Sequence, residues 1–372
     1  MKVTIERETL LKSLNHVQGV VERRNTIPVL SNILISASGD SVNFTATDLD
    51  ISIVESSPAI VDQEGRITAP AHLLYDIVRK LPDGTQISIE QIEDTRIDVR
   101  SGRSQFTLQA LSADDFPNLS SGEMSHNFTL QVPTLKRMIE KTRFAISTEE
   151  TRYYLNGIYF HTSEEDGKEP MLAAVATDGH RLAKVEIPMP EGAASMPGII
   201  IPRKTVGELH KLLDGSDETV AISLSDSKIE FRIGQTIVTS KLIDGNYPDY
   251  DRVIPKNNDN VMTVETKPLT KAVDRVSTVA NDRGRAIKLA LEKGALTLEV
   301  NNPDSGHAEE ELIVDYDSVN LEIGFNAKYM LDVLNQLEGE NVDFLFAESI
   351  DPELVKDQGD EGTIYVLMPM RV

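Results

Sequence analysis

The sequence predicts an α+β fold made of three copies of one domain, each with two helices packed on antiparallel sheet. The first observation is a threonine between apolar residues that is followed six positions later by a leucine. This pattern occurs three times, with its threonines 125 and 134 residues apart, at Thr4, Thr129 and Thr263. A second pattern follows each copy in the same order, with apolar residues at offsets of +4, +7 and +11 from Pro70, Pro202 and Asn326.

The chain length agrees with this repeat, because 372 residues fit two or three domains. We predict three repeated domains at residues 1–125, 126–259 and 260–372, and three similar domains in a row suggest an arc. There is no cysteine, which excludes disulfides and thiolate metal sites. The charged N-terminus does not resemble a signal peptide, and no apolar run approaches the ~18 residues of a membrane span. A cytoplasmic protein is expected.

The helices are predicted from apolar residues that recur on one helical face. After each of the three threonines they stand at offsets of +6, +10 and roughly +13, as Leu10, Leu14 and Val17 do in the first copy. Pro133 and Pro268 lie near the starts of the later helices, where a missing N–H group costs little.

The strands are predicted from segments that alternate between apolar and polar residues, such as 42–46, 87–90, 221–224 and 296–300. This alternation is typical of antiparallel strands with one face in water. Asp-Gly pairs at 83–84, 178–179, 214–215 and 244–245 indicate tight turns or helix ends. Helices and sheet in this order predict an α+β layer architecture.

The charge is unevenly distributed. The formal net charge is −23, which by itself argues against a nucleic-acid partner. However, the six helical windows contain 19 basic and 10 acidic residues, whereas the rest of the chain contains 18 and 50. In the first helix of each copy, cations at offsets +8 and +12 lie opposite the apolar stripe; they are Lys12 and His16, Arg137 and Lys141, and Lys271 and Arg275.

Two interpretations of these basic faces remain open. In the first, two arcs close head to tail by a two-fold rotation into a ring whose hole is lined by basic helices. Phosphate contacts in such a hole would hold duplex DNA without reading its sequence. In the second, the cations are solvated helix formers, and the chain is an acidic scaffold that binds peptides and never encloses DNA.

A set of local motifs adds a family resemblance that covers all three repeats. The motifs are Arg24-Asn25-Thr26-Ile27-Pro28-Val29-Leu30, Ser101-Gly102-Arg103-Ser104, Asp115-Phe116-Pro117-Asn118-Leu119, Arg152-Tyr153-Tyr154-Leu155-Asn156-Gly157, Ala176-Thr177-Asp178-Gly179-His180-Arg181-Leu182-Ala183, Pro202-Arg203-Lys204, Tyr247-Pro248-Asp249-Tyr250 and Tyr365-Val366-Leu367-Met368-Pro369-Met370-Arg371-Val372. With these motifs the whole chain resembles the bacterial DNA polymerase III beta subunit family, the sliding clamps.

The resemblance implies a homodimeric ring that encircles duplex DNA and gives the replicative polymerase its processivity. The implied partners are duplex DNA, a second copy of the chain, the polymerase alpha subunit and an ATP-driven clamp loader. Translesion polymerases, mismatch repair proteins and ligase would bind through short peptides that end in apolar residues. The resemblance implies no catalytic step, no cofactor, no metal and no membrane.

The resemblance also implies three sets of site residues. With the helix cations added, the DNA-facing set is Arg24, Arg79, Arg103, Arg152, Tyr153, Tyr154, Arg203, Lys204, Lys12, Arg137, Lys141, Lys271 and Arg275. The partner-peptide pocket is Leu155, Thr177, Gly179, His180, Arg181, Leu182, Pro248, Arg252, Val253, Val366, Met368, Pro369, Met370 and Arg371. The dimer contact is Phe106 and Leu108 against Thr278 and Val279.

Some of these residues also have a simpler interpretation. Met368 and Met370 would be core residues of a last strand, and Phe106 would fill the core of its own domain. An enzyme with His180 as base and Asp178 as its orienting group is set aside, because the two lie in a predicted turn with no nucleophile of a familiar setting. The seven histidines show no metal-site spacing, and the chain has no glycine-rich phosphate loop.

Overall fold

The computed structural model describes residues 1–23, 26–119, 122–164, 167, 169–214, 219–280 and 284–371. Six α-helices lie in these residues: α1 (Arg7–Val17), α2 (Ala71–Lys80), α3 (Val132–Arg143), α4 (Arg203–Leu212), α5 (Thr266–Ser277) and α6 (Ala327–Leu334). Short 3-10 helices occur at Gln18–Val20, Pro28–Ser31, Ala113–Asp115, Glu150–Leu155 and Tyr250–Arg252.

The same residues form twenty-five strands. They are β1 (Lys2–Glu6), β2 (Asn32–Ser38), β3 (Ser41–Thr47), β4 (Ile51–Pro58), β5 (Ile60–Gln63), β6 (Gly65–Pro70), β7 (Gln86–Glu93), β8 (Arg96–Ser101), β9 (Ser104–Gln109), β10 (His126–Gln131), β11 (Gly157–Ser163), β12 (Met171–Thr177), β13 (Arg181–Pro188), β14 (Ile199–Pro202), β15 (Thr219–Leu224), β16 (Lys228–Ile233), β17 (Thr236–Lys241), β18 (Asn260–Glu265), β19 (Ala286–Glu292), β20 (Ala295–Asn302), β21 (Gly306–Ile313), β22 (Leu321–Asn326), β23 (Asn341–Phe346), β24 (Glu353–Asp357) and β25 (Thr363–Leu367).

Four sheets order these strands, and every pairing between neighbours is antiparallel. One five-stranded sheet has the order β5-β1-β7-β8-β9, and one four-stranded sheet has the order β21-β20-β19-β22. Two eight-stranded sheets have the orders β10-β15-β16-β17-β4-β3-β2-β6 and β14-β11-β12-β13-β25-β24-β23-β18. The α+β class with antiparallel sheets is therefore confirmed.

The chain forms two compact units that do not coincide with the three repeats. The first unit contains residues 1–136, 190–194 and 204–242, and the second contains 137–189, 195–203 and 243–372. Each unit holds one eight-stranded sheet, in which strands of two successive repeats pair: β4 with β17 in the first, β13 with β25 in the second. The second repeat therefore contributes strands to both units. The boundaries after residues 125 and 259 stay predictions.

The periodic patterns correspond to real elements. The three threonines lie on β1, β10 and β18, and the second pattern begins at the residue before α2, α4 and α6. In α1 the predicted stripe of Leu10, Leu14 and Val17 is buried. Each buried aliphatic side chain of this kind stabilises the fold by about 1.5–3 kcal/mol, so the stripe fixes which face of α1 packs on the sheet. None of the described helices is long and apolar enough to span a membrane.

Candidate partner-binding pocket and nucleic-acid surface

A tight turn between β12 and β13 forms the centre of the predicted pocket. The Asp178 carboxylate accepts hydrogen bonds from the backbone N–H groups of His180 (2.9 Å) and Arg181 (3.1 Å). The Thr177 hydroxyl donates to the Arg181 carbonyl (2.7 Å) and accepts from the Gly179 N–H (3.1 Å). Gly179 has φ 89°, a left-handed conformation that glycine adopts without strain. The turn predicted from Asp178-Gly179 is confirmed.

The same geometry argues against the enzymatic interpretation of this segment. Asp178 is bonded to backbone N–H groups and to Arg181, so it does not orient the His180 ring. That ring stacks on Tyr329, with 6.0 Å between the ring centroids. In the described part of the chain, no group of three or more histidine or acidic side chains is placed to hold a metal ion.

Arg181 anchors the turn rather than facing an open groove. Its side chain is buried and donates from Nε to Asp178 (3.0 Å) and from Nη2 to the Phe144 carbonyl (2.7 Å). Its Nη1 donates to Asp332 of α6 at 2.5 Å. The guanidinium also lies 4.4 Å from the centroid of the Tyr329 ring. These contacts occupy all three guanidinium nitrogens, so Arg181 positions the turn against α6.

Next to the turn, apolar residues of two paired strands would form the floor of the predicted pocket. Leu182 of β13 lies opposite Val366 of β25, and both are buried. They belong to one cluster with Val175, Tyr250 and Leu354. At the edge of this floor, the Met368 N–H donates to the His180 carbonyl (2.9 Å). A floor of this kind suits apolar side chains, with a few polar groups to orient them.

The second unit contains all fourteen predicted pocket residues. Those that are buried are Leu155, Thr177, Arg181, Leu182 and Val366; those that are half-buried are Pro369 and Met370; those that are exposed are Gly179, His180, Pro248, Arg252, Val253, Met368 and Arg371. Met368 is exposed and Met370 half-buried, so the simpler interpretation of both as core residues is wrong.

Several residues that the sequence did not indicate pack beside the predicted pocket. Tyr247 and Tyr159 stack with 4.7 Å between centroids and pack on the apolar cluster. Tyr250 belongs to the cluster, and its hydroxyl is 2.8 Å from His161 Nε2. The Tyr247-Pro248-Asp249-Tyr250 motif was the available signal, but only its proline was assigned to the pocket. Burial raises the pKa of Tyr247 and of Tyr250, which keeps both phenols uncharged.

The end of the chain also borders a second concavity in the same unit. Pro369, Met370 and Arg371 line part of a cleft of about 930 Å³. The rest of the lining comes from β19, β20 and β22 and from Ser349 and Ile350, and Lys288 of β19 forms an ion pair with Glu299 at 2.6 Å. This mixed polar cleft therefore shares three residues with the pocket.

The predicted basic face is present on α5 and, in part, on α1, where His16 is half-buried with its Nδ1 3.1 Å from Glu55. Lys12 is exposed on α1 while Leu10 and Leu14 are buried, and Lys271 is exposed on α5 while Leu269 and Val273 are buried. Arg275 is also exposed, and its Nε donates to Glu310 at 3.0 Å. Lys12 and Lys271 stand on the side of their helices opposite the buried stripe, as the spacing predicts.

The second copy breaks this pattern, and the expectation of a matching basic face in every copy is wrong. Lys141 is only 4% exposed; its ammonium is bonded to the Gln336 carbonyl and lies 2.8 Å from Glu338. Arg137 is half-buried and donates from Nε to Asp360 at 3.1 Å. The physical reason is that the segment after α6 and the turn before β25 pack on α3 and supply these partners.

The remaining predicted DNA-facing residues differ in their exposure and in their contacts with other side chains. Arg103 and Arg203 are exposed, and Arg79 is exposed with an ion pair to Asp76 at 3.1 Å. Lys204 is half-buried and bonded to the Val20 carbonyl (3.1 Å) and to Asp48 (2.5 Å). Burial lowers the pKa of Lys204, but the Asp48 and Glu22 carboxylates outweigh burial and raise that pKa overall. Arg24 lies outside the described residues.

One predicted DNA-facing segment lies beside the pocket turn. Arg152 Nε is 3.0 Å from Glu149, and its Nη1 is 3.4 Å from the Asp178 carbonyl. A β-carbon on Gly179 would lie 2.8 Å from the same Nη1, so the end of the Arg152 side chain would have to move. Tyr153 is 53% exposed and meets Tyr154 edge to face.

The predicted dimer residues lie at one sheet edge and at one helix end. Phe106 is half-buried and Leu108 buried on β9, the edge strand of the five-stranded sheet. Just after α5, Thr278 is exposed and Val279 is half-buried. The Val279 carbonyl accepts a hydrogen bond from Asn302 (2.9 Å). In the same unit, β21 forms the edge of the four-stranded sheet.

Comparison with known families agrees with this geometry along the whole chain. The N-terminal, central and C-terminal domains of the DNA polymerase III beta subunit match residues 1–120, 129–249 and 251–371, respectively. Three such domains in one chain define a DNA sliding clamp, which tethers a polymerase to DNA and has no reaction of its own. The chain belongs to the DNA polymerase III beta subunit family. This confirms the predicted clamp function and overturns the acidic-scaffold alternative.

Individual relatives are similar over their full lengths. The beta sliding clamp of Caulobacter vibrioides is 54% identical and that of Escherichia coli K12 is 41% identical, each with 100% of both chains covered. The sliding clamp of Bartonella birtlesii bound to griselimycin has a TM-score of 0.97 at 50% identity, with both chains covered completely. The Caulobacter crescentus beta sliding clamp with bound PEG has a TM-score of 0.96 at 53% identity, covering 100% of this chain and 99% of that one.

Proposed function

We propose that two copies of this chain close head to tail into a ring and that duplex DNA passes through the hole. The observation that carries this proposal is the pair of exposed helix cations, Lys12 on α1 and Lys271 on α5, in a chain with a net charge of −23. Contacts between such cations and phosphates carry no sequence information. Exposed charges act over a Debye length of about 8 Å, so the DNA is retained by enclosure and is free to slide.

The proposed ring contact joins β9 of one protomer to the β21 side of the other. Edge strands with unpaired backbone groups readily pair with another chain. Phe106 and Leu108 would lie against Thr278 and Val279 of the second copy. Charge supports this choice, because the β8–β9 turn carries exposed Arg103 and β21 contains Glu309-Glu310-Glu311. Light scattering should give twice the chain mass of 41.1 kDa, and a stable monomer at micromolar concentration contradicts the ring.

Reversing the charge of exposed helix cations is expected to weaken retention on DNA. The variant combines Lys12→Glu, Arg203→Glu and Lys271→Glu, and the matched control combines Lys256→Glu, Lys293→Glu and Lys356→Glu, which are exposed outside the α-helices. Both variants change the net charge equally. The slope of log affinity against log salt should fall by about 0.9 for each phosphate that the protein no longer neutralises. Only the first variant should show this fall, measured by fluorescence anisotropy on a labelled duplex.

Enclosure of DNA by a ring predicts a second result, which is independent of the charge reversals. After loading by a clamp loader with ATP, labelled rings should remain on a nicked circular plasmid and leave a linear one, as followed by gel filtration. Equal dissociation from circle and linear DNA contradicts enclosure, whatever the effect of the charge reversals.

We also propose that the pocket of the second unit binds short partner peptides that end in apolar residues. The observation behind this is the apolar floor of Leu182 and Val366 beside exposed Met368. Methionine adapts to different shapes, which suits one site used by many partners. A fluorescein-labelled hexapeptide ending in Leu-Phe should bind saturably, and the same peptide ending in Ser-Ser should not. Equal binding of both peptides contradicts an apolar pocket.

The same proposal extends to the individual partners of the pocket. The pocket would receive the alpha subunit of the replicative polymerase, translesion polymerases, mismatch repair proteins and ligase, each through a short peptide. An ATP-driven clamp loader would open the ring. We place the protein in the cytoplasm, where a bacterial chromosome is replicated.

A further inference from the structure

The first unit contains a turn with the same hydrogen bonds as the pocket turn. Asp48 Oδ1 accepts from the N–H groups of Asp50 and Ile51, both at 2.9 Å. The Thr47 hydroxyl donates to the Ile51 carbonyl (2.8 Å) and accepts from the Leu49 N–H (3.1 Å). Leu49 has φ 81°, close to the 89° of Gly179. Residues 47–51 therefore repeat the backbone of residues 177–181.

The strands that leave both turns pair in the same register. Leu182 lies opposite Val366, and Ser52 lies opposite Thr239. One strand further, Val366 lies opposite Leu354, and Thr239 lies opposite Glu230. The hydrogen bond at the edge of the pocket turn is also repeated. The Lys241 N–H donates to the Asp50 carbonyl (2.8 Å), and the Met368 N–H donates to the His180 carbonyl. The two eight-stranded sheets therefore offer equivalent positions beside equivalent turns.

The side chains at these equivalent positions differ in polarity. The pocket positions hold Val175, Leu182, Leu354, Val366 and Met368; the equivalent positions of the first unit hold Thr45, Ser52, Glu230, Thr239 and Lys241. Glu230 is buried and its carboxylate is 2.7 Å from Arg232. Lys241, at the position of Met368, forms an ion pair with Asp50 at 3.0 Å.

This difference determines what each face can bind. An apolar side chain laid on the pocket face displaces water from carbon atoms, which is favourable. The same side chain laid on the first face would meet a carboxylate, an ammonium group and three hydroxyls, to which it offers no hydrogen bond, which is costly. Backbone geometry therefore does not distinguish the two sites, but side-chain polarity does.

We propose that residues 47–52 with 230, 239 and 241 form a closed copy of the peptide pocket. Polar side chains at these positions restrict apolar peptides to one site per chain. The specificity-determining residues are Glu230, Thr239 and Lys241 in the closed copy and Leu354, Val366 and Met368 in the open one. This inference rests on the proposed peptide binding of the second unit.

The test exchanges side chains between equivalent positions, so each replacement is one that the other sheet already carries there. The opening variant combines Glu230→Leu, Thr239→Val and Lys241→Met. Calorimetric titration with the hexapeptide ending in Leu-Phe should give one site per chain for the wild type and a second, about tenfold weaker site for this variant. A double variant, Thr239→Val with Lys241→Met, keeps the Glu230–Arg232 ion pair. This double variant replaces the triple variant in the titration if the triple variant does not fold.

The reverse exchange separates this inference from the proposed function. Val366→Thr with Met368→Lys should weaken peptide binding at least tenfold, with the circular dichroism spectrum unchanged. A wild type that binds no peptide contradicts the proposed function itself. A wild type that binds one peptide, together with folded opening variants that still bind only one, overturns the closed copy.

Discussion

Arg181→Ala is expected to lower the free energy of unfolding by about 3–5 kcal/mol. Arg181 is 8% exposed, and its guanidinium is the shared partner of Asp178 and Asp332. Removing it leaves both carboxylates in a poorly solvated site without a cation, and it removes the donor to the Phe144 carbonyl. Urea unfolding, followed by circular dichroism, measures this change as a lower midpoint.

Two further variants distinguish the geometry of the guanidinium from its charge. Arg181→Lys keeps the charge but cannot reach three acceptors at once, so we expect it to recover only part of the stability. Arg252→Ala is the matched surface control, because the Arg252 side chain is 83% exposed with one ion pair, to Asp249. Exposed pairs of this kind contribute about 1 kcal/mol or less. If Arg181→Ala costs no more than Arg252→Ala, the anchoring role is wrong.

The same substitution should also weaken peptide binding, although Arg181 is too enclosed to contact a peptide. The turn at residues 177–181 would no longer be tied to α6, and His180 would no longer be held in its stacking on Tyr329. We expect the affinity for the labelled hexapeptide to fall while the dimer mass stays unchanged. Unaltered affinity in a folded Arg181→Ala protein contradicts a positioning role for this residue.

Glu353→Ile is expected to stabilise the protein at neutral and alkaline pH. Glu353 lies on β24 with 0% exposure, and neither carboxylate oxygen has a hydrogen-bond partner among the described residues. Burial raises the pKa of Glu353 well above its ordinary value. Isoleucine is a suitable replacement, because Ile229 lies opposite Ser240 in the first sheet as Glu353 lies opposite Leu367 in the second.

The sign of the pH dependence follows from this raised pKa. The folded protein holds the Glu353 proton more tightly than the unfolded chain does. The wild type therefore loses stability as the pH rises from the unfolded pKa towards the folded one, by about 1.4 kcal/mol per pH unit. Glu353→Ile lacks this proton, so its advantage over the wild type should grow with pH and shrink towards pH 4. Urea midpoints measured between pH 4 and pH 9 give this difference directly.

Two controls make the Glu353 experiment specific. Glu353→Gln keeps the size of the side chain without a titrating group, so it should also remove the slope. Glu361→Gln changes an exposed acid near the same strands and should leave the slope of the wild type intact. A difference between Glu353→Ile and the wild type that is independent of pH shows that packing, rather than ionisation, is responsible.

The repeat and the individual elements were predictable because their signals are local. Leu10, Leu14 and Val17 lie within two turns of one helix, and their spacing alone shows which face is buried. The exposure of Lys12 and Lys271 follows from the same spacing. The turn at Asp178-Gly179 was predictable because its hydrogen bonds join residues no more than four positions apart.

The environment of Lys141 and Arg137 was not predictable in this way. Their spacing matches that of the exposed cations on α1 and α5, but their partners are far along the chain. Lys141 donates to a carbonyl 195 residues away, and Arg137 donates to a carboxylate 223 residues away. The period of a single helix cannot show what another part of the chain packs against it, so burial and charge neutralisation at these positions were not predicted.

The sequence by itself determined the threefold repeat, the α+β elements and, through specific motifs, the sliding-clamp family. All of these depend on residue spacing or on short motifs in one chain. Only the tertiary structure decided how strands of successive repeats join, as Thr236 and Glu55 do across 181 residues, and which helix cations are exposed. It also decided which of two equivalent turns borders an apolar face. The physical reason is that the polarity of a sheet face depends on side chains from several strands. Strands that are far apart in the sequence come together only in the folded protein.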